Sequence, residues 1–147
     1  MSHRLKIKAL FPEGYKAVLQ LDSVLAGSGI DPWYHELIKI RASQLNGCAY
    51  CLDMHIQDAL KMGIEQRKIN LIPTWKEATF QFTYREQVIL KMTDAISFIH
   101  RDGLPDPVYR EAISELGESM TAKIIMSIVL INAWNRIGVA TKLDPVF

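Results

Sequence analysis

The segment from Met120 to Gly138 carries apolar side chains on nearly every side of a helix, and this limits the possible folds more than any other feature. A helix with one apolar stripe can lie on a surface, but one that is apolar all round must be enclosed by neighbouring elements or by another subunit. Its most apolar part, Ile124 to Trp134, is interrupted by Ser127 and Asn132 and reaches only about half the length of a bilayer span. It reads as a buried helix of a protein without a membrane partner, either central or at a subunit interface.

The rest of the chain supplies amphipathic helices to enclose it. Tyr15, Val18, Leu19, Leu21, Val24 and Leu25 form a broad stripe over Gly14 to Leu25, which ends at Gly27-Ser28-Gly29. Asp31-Pro32 offers an N-cap followed by a first-turn proline, opening a helix with Tyr34, Leu37, Ile38, Arg41 and Leu45 that stops at Asn46-Gly47. Leu52, Ile56, Ala59 and Leu60 then repeat at helical spacing as far as Gly63. A short helical turn over Glu65 to Leu71 precedes a connection through Pro73-Thr74-Trp75. Thr83-Tyr84-Arg85-Glu86 matches a capping box, and Val88, Ile89, Met92, Ala95, Ile96 and Ile99 hold the core spacing to His100. Asp106-Pro107 repeats the cap-plus-proline device ahead of Tyr109, Ala112, Ile113, Leu116 and Gly117. There is almost no strand pattern, and no repeat or linker. The expectation is one all-α domain over 1–147, a bundle of six or seven helices.

At 147 residues, 49% hydrophobic and 22% charged, the chain is long enough for one core, and a net charge of +1 gives no reason to expect nucleic acid. The start, Met1 to Lys8, is basic, but the apolar run Ala9-Leu10-Phe11 is too short for a secretory signal. A cytoplasmic location is expected, and there a CxxC is more often catalytic than permanently oxidised.

Cys48 and Cys51 are the only cysteines, and His55 follows four residues after the second. Gly47 ends one helix, so Cys48 is expected in the first turn of the next. Offsets of three and four residues then place Cys48, Cys51 and His55 within an arc of roughly 60° on one helix face. The arc borders the apolar stripe, so the thiols are expected at the edge of the core and reached through a pocket. A thiol near a helix N-terminus and one turn from a histidine is expected to have a lowered pKa. Chance spacing, a structural disulfide, zinc binding and redox chemistry all fit the cluster. A disulfide closing so short a loop stabilises little. Zinc would take Cys48, Cys51 and His55 with His35 or Glu36, but structural zinc usually draws on a second ligand pair, which is absent. Redox chemistry leads.

The stretch Glu36 to His55 resembles the core signature of the alkylhydroperoxidase AhpD-like proteins, within the carboxymuconolactone decarboxylase superfamily. That signature is a glutamate, a twelve-residue step to CxxC and a histidine four residues beyond, met here by Glu36, Cys48, Cys51 and His55. The stretch around Trp75, the Phe82 to Thr93 region and the closing Asn132-Ala133-Trp134-Asn135-Arg136 are also similar to this group, so the resemblance covers most of the chain. It implies an all-helical peroxidase or disulfide reductase with no metal or organic cofactor. It assigns Cys51 the attack on the peroxide, Cys48 the resolving step, and His55 with Glu36 the proton relay. It implies a dithiol reductant such as a dihydrolipoyl group or a thioredoxin-like protein, and a homo-oligomer, trimer or hexamer.

In the best-known AhpD branch a histidine precedes the second cysteine, whereas this chain has Tyr50. A tyrosine is neutral near pH 7, so weaker peroxidase turnover or a different oxidant or reductant is expected. The alternatives are a general dithiol–disulfide oxidoreductase, a redox sensor and a zinc-binding module. A decarboxylase fits less well because that chemistry does not need the CxxC. Glu86 could face the thiols, but its place in the capping box favours a structural role. His35 and His100 read as surface or helix-end residues, and Trp33, Trp75 and Trp134 as core or interface anchors. Arg41 and Asp53 read as a surface pair.

Overall fold

A computed structural model describes residues 4–145, and the regular structure within them is helical. In order the elements are α1 (Ile7–Leu10), α2 (Pro12–Ala26), α3 (Pro32–Asn46), α4 (Ala49–Lys61), α5 (Gln66–Leu71), 3-10 turns at Ile72–Thr74 and Thr79–Gln81, α6 (Tyr84–Ser97), α7 (Ile99–Asp102), α8 (Asp106–Leu116) and α9 (Glu118–Thr141). Seven of the α segments have six or more residues, and α1 and α7 are four-residue turns. The all-α expectation holds.

The caps explain most of the boundaries. Asp31 accepts a hydrogen bond from the Trp33 amide at 2.8 Å with Pro32 as the first helical residue. Thr83 and Glu86 form both halves of the capping box that opens α6. Several boundaries differ from expectation. Phe98 leaves helical geometry, so α6 stops at Ser97 before the chain turns again in α7. Pro105, in extended backbone, takes the cap position of α8, and Asp106 lies in the first turn with no capping bond from its side chain. The last helix is longer than expected, 24 residues, with a window of mean hydropathy 1.4 that by length and composition alone would suit a membrane. Eight of its residues are buried, including Ile124, Ile128, Leu130 and Ile131, as a core helix requires.

The helix that packs most extensively on its neighbours is nevertheless α3, which meets α4, α6 and α9. Ile38 and Ala42 belong to a core shared with Val88, Ile89 and Met92 of α6 and Ile124, Ile128 and Ile131 of α9. Leu37 and Ile40 belong to a second core with Ala59, Ile69, Trp75, Phe82 and Leu90. Fully burying each such aliphatic side chain contributes about 1.5–3 kcal/mol. By contrast α9 keeps Met126 and Val129 exposed on its outer side. The charged residues of α3 tolerate this enclosure because each is paired. Lys39 lies 3.7 Å from Asp22 and from Glu36, and Arg41 lies 2.6 Å from Asp94.

Candidate active site

The turn between α3 and α4 is closed by the residues that carry the sulfurs. Gly47 adopts φ 66°, a left-handed conformation that a side chain would strain, and the Cys48 amide then donates back to the Ser43 carbonyl at 3.0 Å. Cys48 is therefore the N-cap of α4, one position earlier than expected, and its Sγ accepts from the Cys51 amide at 3.3 Å. Cys48 and Cys51 form a disulfide with their Cα atoms 5.4 Å apart, both buried. As a disulfide neither sulfur titrates, so the expected thiolate belongs to the reduced protein.

His55 lies one turn beyond Cys51, and its Nδ1 is 2.8 Å from Oε2 of Glu36, which reaches across from α3; both residues are buried. A carboxylate only accepts, so Nδ1 is the donor in this bond, and Nε2 has no hydrogen-bond partner among the described residues. Cys51 and His55 line a cavity of about 250 Å³. Asp22 and Lys39 make its polar end, and Leu19, Trp134, Ile137 and Leu143 make an apolar wall. Cys48 is not among the lining residues. The expected residues Glu36, Cys48, Cys51 and His55 are thus brought together.

Three contributions come from α9. A Cβ on Gly138 would stand 2.9 Å from the Cys48 sulfur and 3.5 Å from that of Cys51, so only glycine lets the helix pass this close to the disulfide. Trp134, one turn earlier, lines the cavity and meets Tyr15 edge-on at 5.2 Å, a role beyond the anchor expected of it. Asn135 donates to Ser43 at 2.9 Å, and Asn46 donates to Asn132 at 2.9 Å and Asn135 at 3.0 Å. This network fastens the end of α3 to α9 immediately before the sulfurs. The signal available in the sequence is a glycine and two asparagines in an otherwise apolar helix, where glycine is disfavoured by about 1 kcal/mol relative to alanine.

Other candidates lie elsewhere. Glu86 is buried, and its carboxylate accepts from the Thr83 amide at 2.7 Å, from Lys68 at 2.8 and 2.9 Å, and from the Trp33 indole. Its structural reading stands. Arg41 pairs with Asp94, not Asp53. His35 is buried instead of exposed, with Nδ1 3.2 Å from the Ser127 hydroxyl and Nε2 3.1 Å from the Leu25 carbonyl. Burial, with Lys39 nearby, holds its imidazole below the ordinary value of 6.5. With both ring nitrogens engaged, His35 is not available as a fourth ligand beside the sulfurs. Among the described residues, the side chains that could share a metal ion are Glu36, His55 and Asp58, whose ligand atoms lie within 4.8 Å of one another. That set contains neither sulfur, so the Cys48–Cys51–His55 donor set is not assembled in the disulfide form.

The profile of the carboxymuconolactone decarboxylase family matches residues 12–95, which span α2 to most of α6 and hold Glu36, both cysteines and His55. The chain belongs to the carboxymuconolactone decarboxylase family. Within that family it is AhpD-like. It is 36% identical over 140 residues to the uncharacterized protein YdfG of Bacillus subtilis, covering 95% of each chain. It superimposes with a TM-score of 0.94 at 33% identity, over 99% of each chain, on the crystal structure of ATU0492 from Agrobacterium tumefaciens. That protein is described as of unknown function and provisionally as the antioxidant defence protein AhpD. The helical bundle is therefore the family's fold.

Proposed function

We propose that this family member is a thiol peroxidase that reduces organic hydroperoxides or hydrogen peroxide through a Cys48/Cys51 dithiol–disulfide cycle. The observation that carries the reading is the asymmetry of the sulfurs: Cys51 lines the cavity together with His55, and Cys48, the helix cap, does not. In the reduced protein Nε2 of His55 takes the proton of the Cys51 thiol, and the thiolate attacks the terminal oxygen of the hydroperoxide. The O–O bond breaks, the alkoxide takes a proton from the His55–Glu36 pair and leaves as an alcohol, and Cys51 becomes a sulfenic acid. The Cys48 sulfur then attacks the Cys51 sulfur, forming the disulfide and releasing water. A dithiol reductant, a dihydrolipoyl or thioredoxin-like group, supplies two electrons and two protons to restore both thiols.

Decarboxylation, which gives the family its name, has no need of paired sulfurs beside a base. A general dithiol–disulfide oxidoreductase would use only the second half of the cycle, and Tyr50 favours it where it replaces the second histidine. Tyr50 lines the cavity and has no side-chain hydrogen bond among the described residues. Intact-mass measurement of the reduced protein mixed with one equivalent of an organic hydroperoxide, beside Cys48→Ser, decides between them. A loss of about two mass units in the parent and a gain of one oxygen on Cys51 in the variant supports the peroxidase. If both proteins stay reduced, the peroxidase reading is wrong. The same reading places the protein in the cytoplasm as a homo-oligomer, with the exposed Met126 and Val129 face of α9 available for subunit contact.

A further inference from the structure

A second cavity, of about 380 Å³, adjoins the one at Cys51, and the two share Tyr15, Ile137 and Leu143 in their walls. The shared wall depends on the way α9 ends. Lys142 has φ 52° and ψ 55°, and among the described residues no other non-glycine residue has a positive φ. This left-handed turn lets the Leu143 amide donate to the Gly138 carbonyl at 3.0 Å, folding Leu143 back to where it faces both cavities. The N-terminal segment is tied to the same helix end by Arg4, which donates to the Ala140 carbonyl at 2.8 Å.

The charge in this second cavity is one-sided. Arg4, Lys6, Lys8 and Lys142 line it against the single carboxylate of Asp144, and none of the four forms an ion pair among the described residues. Elsewhere the cations are divided: Lys39, Arg41, Lys68 and Lys91 each meet a carboxylate within 4.0 Å, and others, such as Lys16 and Arg110, stand apart from one another on the surface without a cavity between them. Like charges drawn together around a concave surface repel one another and concentrate a positive field there. An anion relieves that repulsion.

We propose that this cavity is a carboxylate subsite, and that the small molecule reacting at Cys51 is an amphiphilic carboxylate. Its anionic head sits among Arg4, Lys6, Lys8 and Lys142, and its apolar chain passes Tyr15, Ile137 and Leu143 to bring the reacting group to the sulfur. The fate of that group rests on the thiol-redox reading above. A hydroperoxy acid would be reduced to a hydroxy acid as the thiols form the disulfide. A dithiol acid would deliver two electrons and two protons to the disulfide and become a disulfide itself. The head-group chemistry is common to both.

Binding is tested apart from turnover by calorimetric titration of the oxidised full-length protein with octanoate and, separately, with the neutral octanamide. Octanoate is expected to bind once per chain and octanamide about two- to fivefold more weakly, a ratio set by ion pairs to four exposed cations. A Lys8→Gln, Lys142→Gln double variant should lose the preference, and Lys61→Gln, whose lysine is paired with Asp58 and lines neither cavity, should keep it. Equal binding of the two probes, no binding of octanoate, or an unchanged preference in the double variant overturns the subsite. Oxidation of the same reduced protein by tert-butyl hydroperoxide, which has no charged head, reads the peroxidase step alone, so either idea can fail without the other. Rates with a hydroperoxy fatty acid against its methyl ester, and with dihydrolipoate against its amide, identify which reactant carries the head. If charge speeds neither reaction, the proposed substrate class is wrong.

Discussion

Two buried glutamates near the starts of their helices, Glu36 on α3 and Glu86 on α6, each meet a basic side chain, yet the two corners of the molecule differ in what remains open. Glu86 is saturated: the Thr83 amide, the Lys68 ammonium and the Trp33 indole share its oxygens, and Lys68 also lies over the Trp33 and Phe82 rings at 5.5 and 5.6 Å. Glu36 gives one oxygen to His55 at 2.8 Å, and the other faces Lys39 at a longer 3.7 Å. The partner differs as well. An ammonium donates in every direction, whereas an imidazole held at one nitrogen keeps a second that can move a proton. A buried carboxylate thus becomes a candidate relay when its partner has an atom left over that faces a cavity.

The two corners should differ most at His55. His55→Gln should slow oxidation of the thiols by hydroperoxide by about 10²–10⁴-fold, the usual contribution of a positioned proton-transfer group. Lys68→Gln, in the corresponding place beside Glu86, should leave that rate near the parent's. Stopped-flow measurement of thiol oxidation on both variants checks this. Equal slowing would mean that the two corners do not differ in function.

Next in size is stability, with the corners reversed. Glu86→Gln should destabilise the fold by about 2–4 kcal/mol, because it removes the charge opposite Lys68 and turns an amide N–H toward donors that need an acceptor. Urea denaturation of this variant beside Glu36→Gln measures the contrast. A smaller loss at Glu86 than at Glu36 would contradict the view that Glu86 is the structural member of the pair.

Much of this was legible in the sequence wherever the information was local. The Asp31 cap, the Thr83–Glu86 box, the Gly47 stop and the grouping of Cys51 with His55 all depend on neighbours within four residues. The twelve-residue step to Glu36 came from the family resemblance, since spacing alone could not say that α3 and α4 would fold against each other. What α9 adds to the sulfur cavity was not legible. Helical spacing orders Trp134 and Gly138 along a face but does not say which helix that face meets. The central place of α3 was hidden for a related reason. Arg41 reads in the sequence as half of a surface pair with Asp53, and the carboxylates that let α3 be buried, Asp22 and Asp94, lie on other helices.

A weaker effect belongs to His35, which is next to Glu36 in the chain but turned away from the sulfurs, toward Ser127 and the Leu25 carbonyl. Burial first, and then Lys39, lower its pKa from 6.5, against smaller opposing contributions from the Leu25 carbonyl, Glu36 and Asp22. The unfolded chain therefore binds this proton more readily than the native one, so His35 favours the folded state above about pH 6.5, and that advantage is lost as pH falls through the lowered folded value. Carboxylates add their own acid dependence, so the informative quantity is a difference. The gap in urea midpoint between the parent and His35→Asn should be constant from pH 8 to 7 and should narrow below about pH 6.5. A gap that does not change with pH would mean that the imidazole is as easily protonated in the fold as in water, and that its burial between Ser127 and Leu25 places no demand on its charge.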